Sequence, residues 1–146
     1  MKKILSLIAA CSMLAVFNTH AEDAVYAPVT LVASGSATCA AISATNVSKL
    51  IDCRKQSTVA LQISQMADAT GAHTTRYIFA PSVDGTTFDN KALQAVDISF
   101  NGVTAQVIVT NIPSNGAGYL RLSVITNLTA TINTTNIIVK YGLKIP

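Results

Sequence analysis

The segment RYIFAPSVDGTTFDN, residues 76–90, decides how this chain is read. An aromatic run containing Tyr77 and Phe79 leads into Asp84-Gly85, and Thr86, Thr87 and Phe88 follow. Its two carboxylates, Asp84 and Asp89, suit either a ligand loop, for calcium or a sugar, or a turn between two strands. A calcium loop draws on several oxygen ligands at close alternate positions. Asp84, Asp89 and Asn90 are too widely spaced for that pattern, and no later glutamate closes a site. Asp-Gly supplies the positive backbone dihedral of a turn and signals a hairpin between extended segments. The turn reading is preferred, with Phe88 directed inward on a second strand.

Outward from this segment the dominant pattern is period-two alternation, the mark of half-buried strands. Val59, Leu61 and Ile63 alternate with Thr58, Ala60, Gln62 and Ser64. Val103, Ala105, Val107 and Val109 alternate with Thr104, Gln106 and Thr110, and Ile108 breaks the pattern. Leu120, Leu122 and Val124 alternate with Arg121 and Ser123. Ile137, Val139, Tyr141, Leu143 and Ile145 share one face, with Lys140 and Lys144 on the other. Weaker strands fall at 25–32, where Pro28 argues for an edge, and at 47–53, 76–80 and 96–100. Turn residues separate them, and Asn101-Gly102 is the strongest hairpin signal. The one segment with room for a helical turn is 40–49, and its serines, threonines and asparagine argue against it. Strands at this spacing predict an all-β fold, a single antiparallel β-sandwich with jelly-roll or Ig-like connectivity.

The N-terminus has a different character. Lys2 and Lys3 precede an apolar run at 4–17, and a short polar stretch ends at Thr19-His20-Ala21. This is the layout of a secretory signal peptide, expected to span 1–21 and to leave a β-sandwich domain at 22–146. The apolar run is short of the ~20 residues of a spanning helix, so no membrane span is expected in the mature chain. Ile8-Ala9-Ala10-Cys11 resembles a lipoprotein lipobox, but that reading strands an apolar tail at the new N-terminus. The compact leader looks bacterial, which places the protein in the periplasm or outside the cell. Cys39 and Cys53 remain after cleavage, and an oxidising compartment favours a disulfide between them.

Reactive chemistry finds little material. Without Lys2 and Lys3 there are eight basic and seven acidic residues, a net charge near +1. Lys49, Arg54 and Lys55 form the only basic cluster, so nucleic-acid binding is not expected. His73 is the single histidine after the leader and lies in a segment read as a solvated loop. That count excludes a multi-histidine zinc site and leaves a general base without a partner. No carboxylates pair across a cleft as glycoside hydrolysis requires, and tryptophan is absent. No catalytic residue, metal site or cofactor is expected. The sequons at Asn46, Asn127 and Asn133 carry weight only in a eukaryotic secretory pathway.

Residues 79–89, preceded by Val59-Ala60-Leu61-Gln62-Ile63-Ser64, resemble small β-sandwich proteins encoded in bacteriophage structural-gene clusters. The likeness continues through residues 118–122 and 139–144. It implies a virion component or decoration module that binds through its surface, without catalysis. The expected function is therefore a non-enzymatic, exported structural or assembly module. Self-association or a protein partner is expected, through the strand near Pro28 or the lysine-bearing C-terminal strand. A secreted carbohydrate-binding or adhesive module is the alternative, with tyrosines and asparagines contacting sugar.

Overall fold

The computed structural model describes residues 28–33, 35 and 37–143, so the expected leader at 1–21 lies outside the described residues. Eight strands follow in order: β1 (Val29–Val32), β2 (Ala44–Asp52), β3 (Thr58–Ala67), β4 (Ala72–Ser82), β5 (Gln94–Asn101), β6 (Gln106–Pro113), β7 (Tyr119–Asn127) and β8 (Thr134–Leu143). They form two antiparallel four-stranded sheets, ordered β1-β8-β3-β6 and β2-β7-β4-β5. The pairs β1–β8, β2–β7, β3–β6 and β4–β5 are those of one long hairpin. Pairing of β3 with β8 and of β4 with β7 rolls that hairpin into a sandwich. This is jelly-roll connectivity, which decides the alternative the sequence leaves open. Only β4 and β5 are both consecutive and paired, so the 83–93 loop is the tip of the rolled hairpin.

Alternation buries one face of each sheet. Val59, Leu61 and Ile63 of β3, Ile137 and Val139 of β8, Tyr77 and Phe79 of β4, and Leu120, Leu122 and Ile125 of β7 are fully buried. Each of the aliphatic side chains and Phe79 contributes about 1.5–3 kcal/mol relative to exposure. Polar groups also cross the interior. Tyr77 donates its hydroxyl to Gln65 Oε1, linking β4 to β3. Thr75 and Thr134 share a buried hydroxyl bond of 2.8 Å between β4 and β8. Burial pushes the Tyr77 hydroxyl far above its usual pKa, which keeps it a donor.

Several expectations need correction. Asn101-Gly102 does not close a hairpin, because β5 and β6 belong to different sheets. A turn signal marks a change of direction and is silent on whether the chain returns beside itself or crosses the sandwich. Val107 and Val109 face solvent at 57% and 71% exposure, whereas Ile108, the apparent exception, packs on the core. In β7 the register against β4 shifts between Leu122 and Val124. A bulge turns successive side chains to other faces, so Ile125, not Val124, continues the buried row. His73 is no loop residue. It lies in β4, is buried, and meets the Phe100 ring edge-on at 3.5 Å between centroids. Residues 40–43 form a turn and β2 follows at once, leaving no helix there. The lysine-bearing β8 lies between β1 and β3 and has no free edge, while β1 is an edge as expected.

The expected disulfide is also corrected, since Cys39 and Cys53 are both buried free thiols. The nine residues of β2 lie between them, which at about 3.3 Å per residue puts roughly 30 Å of strand in the way. A disulfide needs Cα atoms within about 7 Å. Cys39 Sγ instead approaches the carbonyls of Ser43 and Ile125 at 3.1 and 3.3 Å.

The Tyr77–Gln65 contact gives a direct stability test. Tyr77→Phe leaves the Gln65 carbonyl buried without its donor and is expected to cost about 1–3 kcal/mol in urea unfolding. Gln65 Nε2 already lacks a partner, so adding Gln65→Leu to Tyr77→Phe should recover much of that loss. A double variant no more stable than the single one would contradict this.

Candidate functional site

The 83–93 loop, the 114–118 turn and the 53–57 segment gather at one end of the sandwich, since β4, β6 and β2 all finish there. Ser114 anchors the second of these, donating its hydroxyl to the Gln56 carbonyl at 2.9 Å. Asn115 and Gly116 both have positive φ, at 52° and 79°, and Ala117 N–H donates to Ser114 O at 2.9 Å. These are the features of a type I′ turn. It reverses the chain between sheets. Gly118 then lies so close to the first loop that a Cβ there would stand 2.9 Å from the Val83 carbonyl.

Asp84 organises the first loop. Its Oδ1 accepts the N–H groups of Thr86 and Thr87, each at 2.8 Å, and the Ser82 hydroxyl at 2.9 Å. Those bonds, with that of Thr87 first, hold its carboxyl well below the ordinary carboxylate range. Asp89 accepts the N–H groups of Lys91 and Ala92 at 2.7 and 3.2 Å. Gly85 has φ +76°, as Asp-Gly implies. The loop is nevertheless longer than a tight turn, and no strand restarts at Thr86. Phe88 is half-buried and covered by the Arg121 guanidinium, 3.9 Å from the ring centroid.

Between the loops lies an open, mainly apolar depression of about 610 Å³, walled by Pro81, Val83, Phe88 and Ala117. Phe88 is the aromatic side chain that lines it. Arg121 covers Phe88, Arg54 stands 5.1 Å from the Tyr119 centroid, and Gly85 approaches that same ring. Tyr77 is buried and Tyr141 packs on the core, and Tyr26 lies outside the described residues.

The other described carboxylates are engaged as well. Asp52 pairs with Arg54, and Arg76 grips Asp97 with two bonds of 2.7 Å. These arginines hold both carboxyls below their usual values. Asp68 accepts from Asn133. No three His, Cys, Asp or Glu side chains converge among the described residues. Asn127 is buried, with Nδ2 donating to Cys39 O and Ile132 O, so its sequon is inaccessible in the fold. Cys53 sits beside this end with its Sγ 3.5 Å from Ala117 O. Burial, and next the charge of Asp52, push its thiol pKa up, which keeps it unreactive.

No protein-family model matches this chain, and no curated protein matches it. A chain in the structure of infectious bursal disease virus, Gx strain, is similar over 84% of this chain, at 13% identity and a TM-score of 0.49. This chain spans about a third of that one, 32%. The fold assignment therefore rests on the strand pairing itself. No helix among the described residues is long and apolar enough to cross a membrane.

Two outcomes follow from the site. A lowered folded pKa at Asp84 means its stabilisation is complete above the unfolded value near 3.9 and is lost as pH falls toward the folded value. Wild-type melting temperature should drop below about pH 4, and Asp84→Asn, already lower at pH 7, should drop less steeply. Parallel curves would contradict this. Alkylation in denaturant without reductant should label both Cys39 and Cys53, read by mass, whereas a Cys39–Cys53 bridge would leave both unlabelled.

Proposed function

We propose that this is a non-enzymatic, exported β-sandwich that works by protein–protein association, as a structural or assembly module. The observation that carries this reading is β6. Natural sheets protect their edges with short strands, bulges, charges or proline. Edge strand β1 has four residues and a register break between Thr30 and Val32. Edge strand β2 carries Lys49, Asp52 and a break between Asn46 and Lys49, with Ser48 at φ 54°. Edge strand β5 carries Asp97. Edge strand β6, QVIVTNIP, has no charge, its proline is confined to the last position, and its register with β3 runs unbroken from Gln106 to Pro113. It also exposes Val107 and Val109. Such an edge invites a partner.

The engagement of the described carboxylates in ion pairs and loop hydrogen bonds supports a non-catalytic role. The likeness of 79–89 and its neighbours to phage structural-cluster proteins points the same way. The layout of residues 1–21 supports export. Static light scattering on the purified protein tests the reading. Molar mass is expected to rise above that of one chain with concentration, and a constant monomer mass up to millimolar protein would contradict it.

A further inference from the structure

We infer that β6 pairs antiparallel with β6 of a second copy of this chain, in a register centred on Val109. The inference rests on the association proposed above and names its partner and geometry. The direction of each β6 backbone group follows from one hydrogen bond. Ser114 N–H donates to Ser57 O at 2.9 Å, one step beyond the pair Thr58↔Pro113. Ser57 and Ser114 are therefore a hydrogen-bonded pair, and in an antiparallel ladder such pairs alternate with non-hydrogen-bonded ones. Thus Ile112, Thr110 and Ile108 direct their N–H and C=O groups to β3. Val107, Val109, Asn111 and Pro113 direct theirs away, to the open edge. Pro113, which has no N–H, falls at an edge-facing position, where proline is tolerated.

The outward groups complement themselves. With Val109 opposite Val109 of the second copy, Val107 stands opposite Asn111 and Asn111 opposite Val107. Val107, Val109 and Asn111 of both copies then have partners for N–H and C=O together. Moving the centre to Val107 or Asn111 takes at least one of these residues out of the pairing. Side chains agree with this register. β6 has no charged residue, so a two-fold copy sets no like charges face to face. Val109, the most exposed apolar residue of the strand at 71%, meets its own copy, and cross-strand β-branched pairs are favourable. Ile108, half-buried at the margin of the core, gains cover on the inner face.

Charge reversal at the two-fold position tests both partner and register. Val109→Lys alone and Val109→Glu alone should each lose the concentration-dependent mass, because like charges meet at the centre. An equimolar mixture of the two should restore it as a mixed dimer. Val109→Pro removes an N–H that the β3 ladder does not use, so it should keep the sandwich circular dichroism spectrum and stay monomeric. Wild-type assembly with these variants assembling equally, or with the mixture staying monomeric, would overturn this inference and leave the broader reading intact. A wild type that never assembles would overturn both.

Discussion

The Tyr77 hydroxyl on Gln65 is the polar contact that ties the two sheets together across the core. It joins inner strand β4 of one sheet to inner strand β3 of the other. Because side chains alternate, a slip of one residue in either strand would carry its partner to the solvent face. The contact therefore specifies which face of each sheet is interior. Phe79 and Leu61 bury their mass beside it, and the Thr75–Thr134 bond repeats the same logic one strand away. Gln65 Nε2 goes without a partner, a cost the surrounding apolar burial must offset.

Once the faces are committed, the edges are what remain. Rolling a long hairpin into two sheets closes neither of them, and among the described residues it leaves β1, β2, β5 and β6 with one unpaired side each. Brevity, bulges or charge blunt the first three, whereas β6 carries only a terminal proline, Pro113. The same roll brings the acidic loop of 83–93 to the hairpin tip, where Asp84 and Asp89 each accept neighbouring N–H groups on Oδ1. The loop that first looks like a ligand site is thus a staple, and the uniform strand that looks like ordinary core is the exposed element.

Sequence pattern reached the fold class because β3 and β8 each bury one clean alternating row. It failed where two valid alternations compete. In β6, Val107 and Val109 alternate as convincingly as Ile108 and Ile112, and only the pairing of β3 with β6 says which set faces inward. It also could not separate a hairpin from a crossover at Asn101-Gly102, since both need the same reversal. The disulfide expectation followed the compartment, while the length of β2 keeps the two thiols at its opposite ends. The Asp84-Gly85 turn signal was legible, but the length of the loop was not, because Thr86, Thr87 and Phe88 suit a strand equally well.

Amide hydrogen exchange along β6 tests the central claim most directly, residue by residue and as a function of concentration. In dilute protein Ile108, Thr110 and Ile112 should be protected by β3 while Val107, Val109 and Asn111 exchange freely. At concentrations where mass rises, Val107, Val109 and Asn111 should become protected together. If their amides still exchange freely in the assembled protein, β6 is not the surface through which these copies meet.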